Sequence, residues 1–265
     1  MRVGIFARTF VRSTVEQSLD AVAALGLSDV HLDVEPDADP AGLRAALDAR
    51  GLVAAGVAGT FNMAHPDPAR RADGLRWLDG VAAACGALGQ PIVSLCTGTR
   101  DTESMWHHHP ENVAPEAWRD LLVSMEQAAG IAERRGVVMA LEPEVSNVVD
   151  SARKARRLLD EVGSPRIKIL IDPANIFHRG ELPRMAELLD EAFDLLGDDI
   201  VMGHAKDLDR DGEAGHLAAG RGLLDYDRYV ARLRGIGFDG SVVLHGLGEA
   251  EAPGCVAFLR SKIGG

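Results

Sequence analysis

Apolar residues along this chain fall into short unbroken runs separated by longer stretches in which they recur every three or four positions. The short runs are 3–6 (VGIF), 29–33 (DVHLD), 53–58 (VAAGVA), 92–96 (IVSLC), 137–142 (VVMALE), 167–172 (IKILID), 200–204 (IVMGH) and 241–245 (SVVLH). Runs of this length that are rich in Val, Ile and Leu and apolar throughout predict parallel strands covered on both faces. The stretches between them carry helical stripes. The first places Val15, Leu19, Val22 and Leu25 on one face, with Gly26 after it as a C-cap. Similar periodicity predicts helices over about 41–50, 68–88, 115–135, 150–162, 182–196, 225–236 and 254–262. Gly51, Gly89, Gly136, Gly163, Gly197 and Gly237 stand at or near the ends of six of these helices. Eight strand–helix units in strict alternation, with no linker or low-complexity stretch, predict a parallel sheet. Eight units within 265 residues predict one closed (β/α)8 TIM barrel spanning residues 1–265. The open doubly wound sheet is the alternative, and its glycine-rich GxGxxG is missing after the first strand.

Composition narrows the partners. A formal net charge of −12 and the lack of any Lys/Arg-rich run argue against nucleic acid. Three scattered cysteines without CxxC spacing, Cys85, Cys96 and Cys255, argue against a thiolate zinc site and for a reducing compartment. The first residues lack the apolar run of a signal peptide, and no apolar stretch approaches the length of a membrane span. The expectation is a cytoplasmic protein with no membrane partner.

In a barrel of this kind, functional groups sit at the carboxyl ends of the strands. Strands five to eight end in Glu142, Asp172, His204 and His245, one strand–helix unit apart. Consecutive strands are neighbours, so these side chains should meet on one arc of the mouth. Taken singly, each is an ordinary first residue of a solvated loop. Together, two carboxylates and two imidazoles form a ligand set for a divalent ion such as Mn2+, Co2+, Zn2+ or Mg2+, with positions left for substrate oxygens.

With these residues in place, the chain resembles the xylose-isomerase-like TIM barrels, the sugar phosphate isomerase/epimerase superfamily that also contains endonuclease IV. The resemblance covers essentially the whole chain. It rests on ALEPE (140–144), IDPAN (171–175), GHAKD (203–207) and AGRGLLDY (219–226) in that order. It implies metal-binding roles for Glu142, Asp172 and His204. Two positions depart from the epimerases of the family. His245 stands where they have a second glutamate that binds metal and transfers protons. Asn175 stands where several have a substrate-binding histidine. By family position, Asn147, Asn175 and Lys206 are hydroxyl ligands.

The resemblance and the ligand set together imply a divalent-metal-dependent isomerase or epimerase. Its substrate would be a small sugar or sugar derivative, reacting through a metal-stabilised enediolate. Glu142 is the candidate base and His245 the candidate second proton carrier. A leaving group at the β position would make the same enzyme a lyase on a keto-sugar or glycoside. A non-catalytic sugar-binding barrel and an endonuclease IV-like nuclease are the other readings. The nuclease needs a three-zinc ligand set that this chain does not supply. Further candidates come from loops. The long segment after strand four places Arg100, Trp106 and a triple histidine, 107–109, within reach of the mouth as a lid, with one of the three histidines expected to touch the pocket. Arg100 would bind substrate, or else pair with Asp101. Asn62 and His65 follow strand three. Glu144 should share Glu142's face by strand alternation. Gly220-Arg221-Gly222 predicts a tight turn before the seventh helix. Barrels of this group often pair, so a homo-oligomer is a further expectation.

Overall fold

The structure, a computed structural model, describes residues 1–89 and 91–264. Eight parallel strands close into a ring in sequence order. They are β1 (Arg2–Phe6), β2 (Asp29–Leu32), β3 (Val53–Ala58), β4 (Ile92–Cys96), β5 (Met139–Glu142), β6 (Ile167–Ile171), β7 (Ile200–Ala205) and β8 (Ser241–Leu244). The ring is sealed where β1 pairs with β8, Arg2 opposite Ser241 through Ile5 opposite Leu244. Around it lie α1 (Val15–Ala24), α2 (Pro40–Asp48), α3 (Pro68–Cys85), α4 (Pro115–Arg135), α5 (Ala152–Val162), α6 (Met185–Leu196), α7 (Tyr226–Gly235) and α8 (Ala252–Ile263). The expected single (β/α)8 barrel is therefore the fold observed. Among the described residues no helix is long and apolar enough to cross a membrane.

Most elements begin and end within a few residues of where the pattern places them. Local chemistry sets the ends. Asp39 and Asp67 cap α2 and α3 by accepting backbone N–H bonds, each with proline at the first helical position. Gly136 and Gly163 close α4 and α5 in the left-handed conformation. Gly197 does not behave this way. Its φ is −51°, and the chain continues through a 3-10 turn, Gly197–Asp199, into β7. In α1 the stripe is buried at Leu19 and Val22 but frays at Val15, which is 41% exposed.

The core has two compartments. The larger lies between strands and helices and includes Leu19, Leu78, Leu121, Leu158, Leu189 and Leu259, each fully buried. A leucine removed from water in this way contributes about 1.5–3 kcal/mol. The smaller fills the barrel's interior with Phe6, Ala140, Leu170, Met202 and Val243. Side chains alternate across a strand, so the next inward position lies two residues further on. Ala140 is followed by Glu142, Leu170 by Asp172, Met202 by His204 and Val243 by His245. The apolar plug is thus the floor on which those four residues stand.

Candidate metal centre and sugar pocket

Asp172, His204 and His245 each offer one ligand atom, and these atoms lie within 4.8 Å of one another. All come from the ends of neighbouring strands β6, β7 and β8. Asp172 is fully buried and accepts from His245 Nε2 at 2.9 Å, Asn175 Nδ2 at 3.2 Å and the Ala174 N–H at 3.0 Å. Lys206 Nζ stands 3.6 Å from its Oδ2. Burial would raise the Asp172 pKa, but Lys206 and His245 outweigh it and hold the carboxyl well below the usual range. Burial, helped by the charges of His204 and Lys206, pushes His245 down to about 4. Its imidazole is therefore neutral at pH 7 and keeps a lone pair for a cation.

His204 supplies the test of fit. It is 2% exposed, and neither ring nitrogen has a hydrogen-bond partner. Such an orphaned imidazole is costly unless something coordinates it. A divalent ion shared with Asp172 and His245 would satisfy it, and one carboxylate with two imidazoles is a ligand set such ions accept.

Glu142 lies beside this group but outside it. Its Oε2 is 3.3 Å from His204 Nδ1, without hydrogen-bond alignment, and its Oε1 accepts from Asn175 Nδ2 at 2.5 Å. Burial alone would raise the Glu142 pKa. His204 and Lys206 pull the other way, and the carboxyl ends below its ordinary value. The expected four-membered arc is thus a compact three with a neighbouring carboxylate. Asn175 ties the two parts together by bonding both Glu142 and Asp172. Its Oδ1 accepts from the Gly215 N–H at 3.0 Å.

Above these residues opens a cavity of about 810 Å3, lined among others by Phe6, Cys96, Glu144, Trp106 and Lys206. Glu144 shares Glu142's side, as alternation predicts. Burial pushes it up to about 7 against the opposing Ser146 N–H. Trp106 is 54% exposed at the rim.

Four predicted substrate contacts, Arg100, Asn62, His65 and Asn147, do not line this mouth. Arg100 donates to Asp120 Oδ2 at 2.6 Å and to the Ala64 carbonyl at 3.0 Å, so it pins its loop to α4 and does not pair with Asp101. Asn62 is used by the same loop, accepting from the Thr99 N–H and donating to the Asp101 carbonyl. His65 accepts the Asp67 N–H at the start of α3. Asn62 and His65 line a separate, smaller cleft. The triple histidine also stays outside the main cavity. His109 caps the turn Pro110–Val113, and His107 and His108 are exposed. Asn147 is buried behind the wall, bonded to Glu144 and to the Gly98 N–H. Gly220 has φ +80° and donates to Asp207 Oδ2, so that segment is a backbone turn as predicted.

Sequence reasoning passed over several residues that the fold brings to the site. His31, fully buried, stacks on Phe6 at 3.9 Å and lies 5.9 Å from the His204 ring. Gly56 makes room for it, since a Cβ there would come 2.6 Å from His31 Nδ1. Arg8, Asp33, Glu35 and Trp77 also line the cavity. Tyr229 of α7 donates to the His204 carbonyl at 3.1 Å. Gly203 leaves space for that hydroxyl, which would lie 2.5 Å from a Cβ.

Residues 19–260 match the family described as xylose isomerase-like TIM barrel. The chain belongs to this family. Solved structures with the same architecture include the apo form of a 3-keto-D-glucoside 4-epimerase from E. coli. It is 20% identical, with a TM-score of 0.77 and coverage of 98% of this chain and 99% of the other. A D-tagatose 3-epimerase-like protein superposes with a TM-score of 0.82 at 15% identity, covering 100% and 97%. A D-psicose 3-epimerase with D-tagatose, from Clostridium cellulolyticum H10, gives 0.77 at 17% identity, covering 99% of each chain. At these identities the likeness is one of fold.

Proposed function

We propose that this protein is a divalent-metal-dependent isomerase or epimerase acting on a small sugar or sugar derivative. The observation that carries the proposal is the Asp172–His204–His245 group, with both nitrogens of the buried His204 left without partners. The epimerases among proteins of the same fold agree with it.

Asp172, His204 and His245 would hold the ion, which supplies a Lewis acid that polarises a sugar carbonyl and acidifies the adjacent C–H. Mn2+, Co2+, Zn2+ and Mg2+ all suit these donors. Glu142 is the base. Its pKa is held low, so it is ionised at neutral pH, and Asn175 fixes its orientation. Lys206 neutralises negative charge beside Asp172. His245, bonded to Asp172 and grouped with the ligands, is assigned to the ion and not to proton transfer. The second proton-transfer group is then Glu144, a carboxyl on the same wall with a pKa of about 7, matched to giving and taking protons near neutrality.

The test is isotope exchange. Protein loaded with Mn2+ or Co2+ is incubated in D2O with a panel of ketoses and aldoses. Deuterium should enter the carbon next to the carbonyl, and Glu142→Gln should abolish that exchange. Exchange persisting in Glu142→Gln removes Glu142 as base. Loss of water or an aglycone would mean elimination instead. A protein that purifies without metal, and whose melting temperature ignores added Mn2+ and Co2+, ends the metal reading.

A further inference from the structure

We propose that the pocket takes a neutral two-part sugar, a disaccharide or other glycoside. Its reacting ring would lie against Asp172, His204 and His245, and its second part would be held by Arg8, Asp33, Glu35 and Trp77. This rests on the sugar reading above and specifies its substrate class.

Size comes first. A cavity of about 810 Å3 lies toward the upper end of the ~300–1,000 Å3 that encloses drug-sized ligands. A single hexose, with about a dozen heavy atoms, is well short of that size and would leave the far side to water.

The layout of the walls is the second observation. The metal donors stand on β6–β8, and the wall that continues round the ring past β8 is built by residues following β1 and β2 together with Trp77 of α3. Phe6 joins the two. Its ring centroid is 5.6 Å from that of His204 and 5.8 Å from that of His245, and the Arg8 guanidinium carbon sits 4.1 Å over the same ring. A sugar placed on the metal donors that extends past the edge of Phe6 therefore reaches Arg8, since the two faces of that ring are taken by His31 and Arg8. Whatever is attached there must lie along Arg8, Asp33, Glu35 and Trp77.

Chemistry is the third. Arg8 and Asp33 pair at 3.3 Å with side chains 58% and 46% exposed, so their remaining donor and acceptor sites face water that sugar hydroxyls can replace. Trp77 packs partly against the core, lines the cavity and donates Nε1–H to Glu35 Oε2 at 3.2 Å, which fixes the indole as an apolar surface for a sugar's C–H groups. An aromatic face beside a guanidinium and two carboxylates is a wall for hydroxyl-rich, uncharged groups. Charge also disfavours phosphate, because the carboxylates around the cavity outnumber Arg8, Lys206 and the two charges of a bound divalent ion. Arg8 is paired with Asp33 and Lys206 with Asp172, while Glu35, Glu142 and Glu251 add negative charge around the cavity.

Calorimetric titration of the Mn2+-loaded protein tests this. The probes are glucose, galactose and fructose, the disaccharides maltose, cellobiose, lactose and sucrose, and glucose 6-phosphate. At least one disaccharide should bind about tenfold or more tighter than either of its component sugars, about 1.4 kcal/mol. That ratio should fall to near one in Trp77→Ala and in the gentler Glu35→Gln. Glucose 6-phosphate should bind no better than glucose. Monosaccharides that match every disaccharide overturn the two-part pocket alone, as does a disaccharide preference that survives in both variants. Tighter binding of glucose 6-phosphate overturns neutrality. A protein that binds neither Mn2+ nor any sugar overturns the broader sugar reading and this proposal with it.

Discussion

Glu144 is pulled in two directions, and replacing it gives a prediction whose sign changes with pH. Its Oε1 accepts from the Ser146 N–H at 3.0 Å and its Oε2 from Asn147 Nδ2 at 2.6 Å, contacts that favour the carboxylate. Burial opposes them and wins, moving the pKa from 4.5 to about 7. A carboxyl whose folded value lies above its unfolded value contributes stability that is complete below about 4.5 and lost as pH rises to about 7. The interval corresponds to roughly 3 kcal/mol when both states are ionised. Glu144→Gln abolishes that loss but sets an amide NH2 against one of the two N–H donors, at a cost of about 1 kcal/mol. In metal-free protein the variant should therefore be close to the parent at about pH 5, where the accrued loss, roughly 1 kcal/mol, offsets that cost. At about pH 8 it should be the more stable by roughly 2 kcal/mol. Urea unfolding in the presence of a chelator at pH 5, 6.5 and 8 measures this. A difference of constant sign and size across the three pH values would refute the reasoning and mean that the two donors keep Glu144 ionised throughout.

Two further substitutions probe the scaffold under the site. Tyr229→Phe removes the hydroxyl that donates to the His204 carbonyl and reaches the Ile171 carbonyl at 3.4 Å. Mn2+ affinity should fall about 10-fold or more, as for other groups that orient ligands, and an unchanged Kd beside a lowered melting temperature would make Tyr229 structural only. Gly56→Ala should destabilise by about 1–3 kcal/mol through overpacking, because its Cβ would meet both His31 and Met202 Cε. Denaturant titration checks this, and no loss of stability would mean that His31 can move aside freely.

Much of the barrel could be read from the chain because two periodicities report local geometry directly. Alternation of short apolar runs with helical stripes gives the eight units. The two-residue period of a strand carries Ala140 to Glu142, Leu170 to Asp172, Met202 to His204 and Val243 to His245. Applied to β1 and β2, the same step from Phe6 and His31 reaches Arg8 and Asp33, so these two were legible although a reading confined to strands five to eight passes over them. His31 itself lies one layer below the strand ends. Trp77 had no comparable signal: it sits on a helix, and its partner Glu35 is 42 residues away. Arg100, Asn62 and His65 were misplaced for a related reason. Their polar groups are consumed by loop carbonyls, N–H groups and Asp120, partners that only the folded loops bring near. Gly197 shows that a glycine at a helix end marks a boundary without fixing its geometry.

The separation of the two walls has a consequence for how such a protein can be altered. Among the described residues, the side-chain hydrogen bonds and ion pairs of Glu142, Asp172, His204 and His245 run to residues from Cys96 onward. The segments after β1 and β2 contribute none of them. On the proposed reading, chemistry and recognition are thus carried by different stretches of the gene. Recombining the early loops with those of another barrel would exchange one guest for another while the reacting half is inherited as a block.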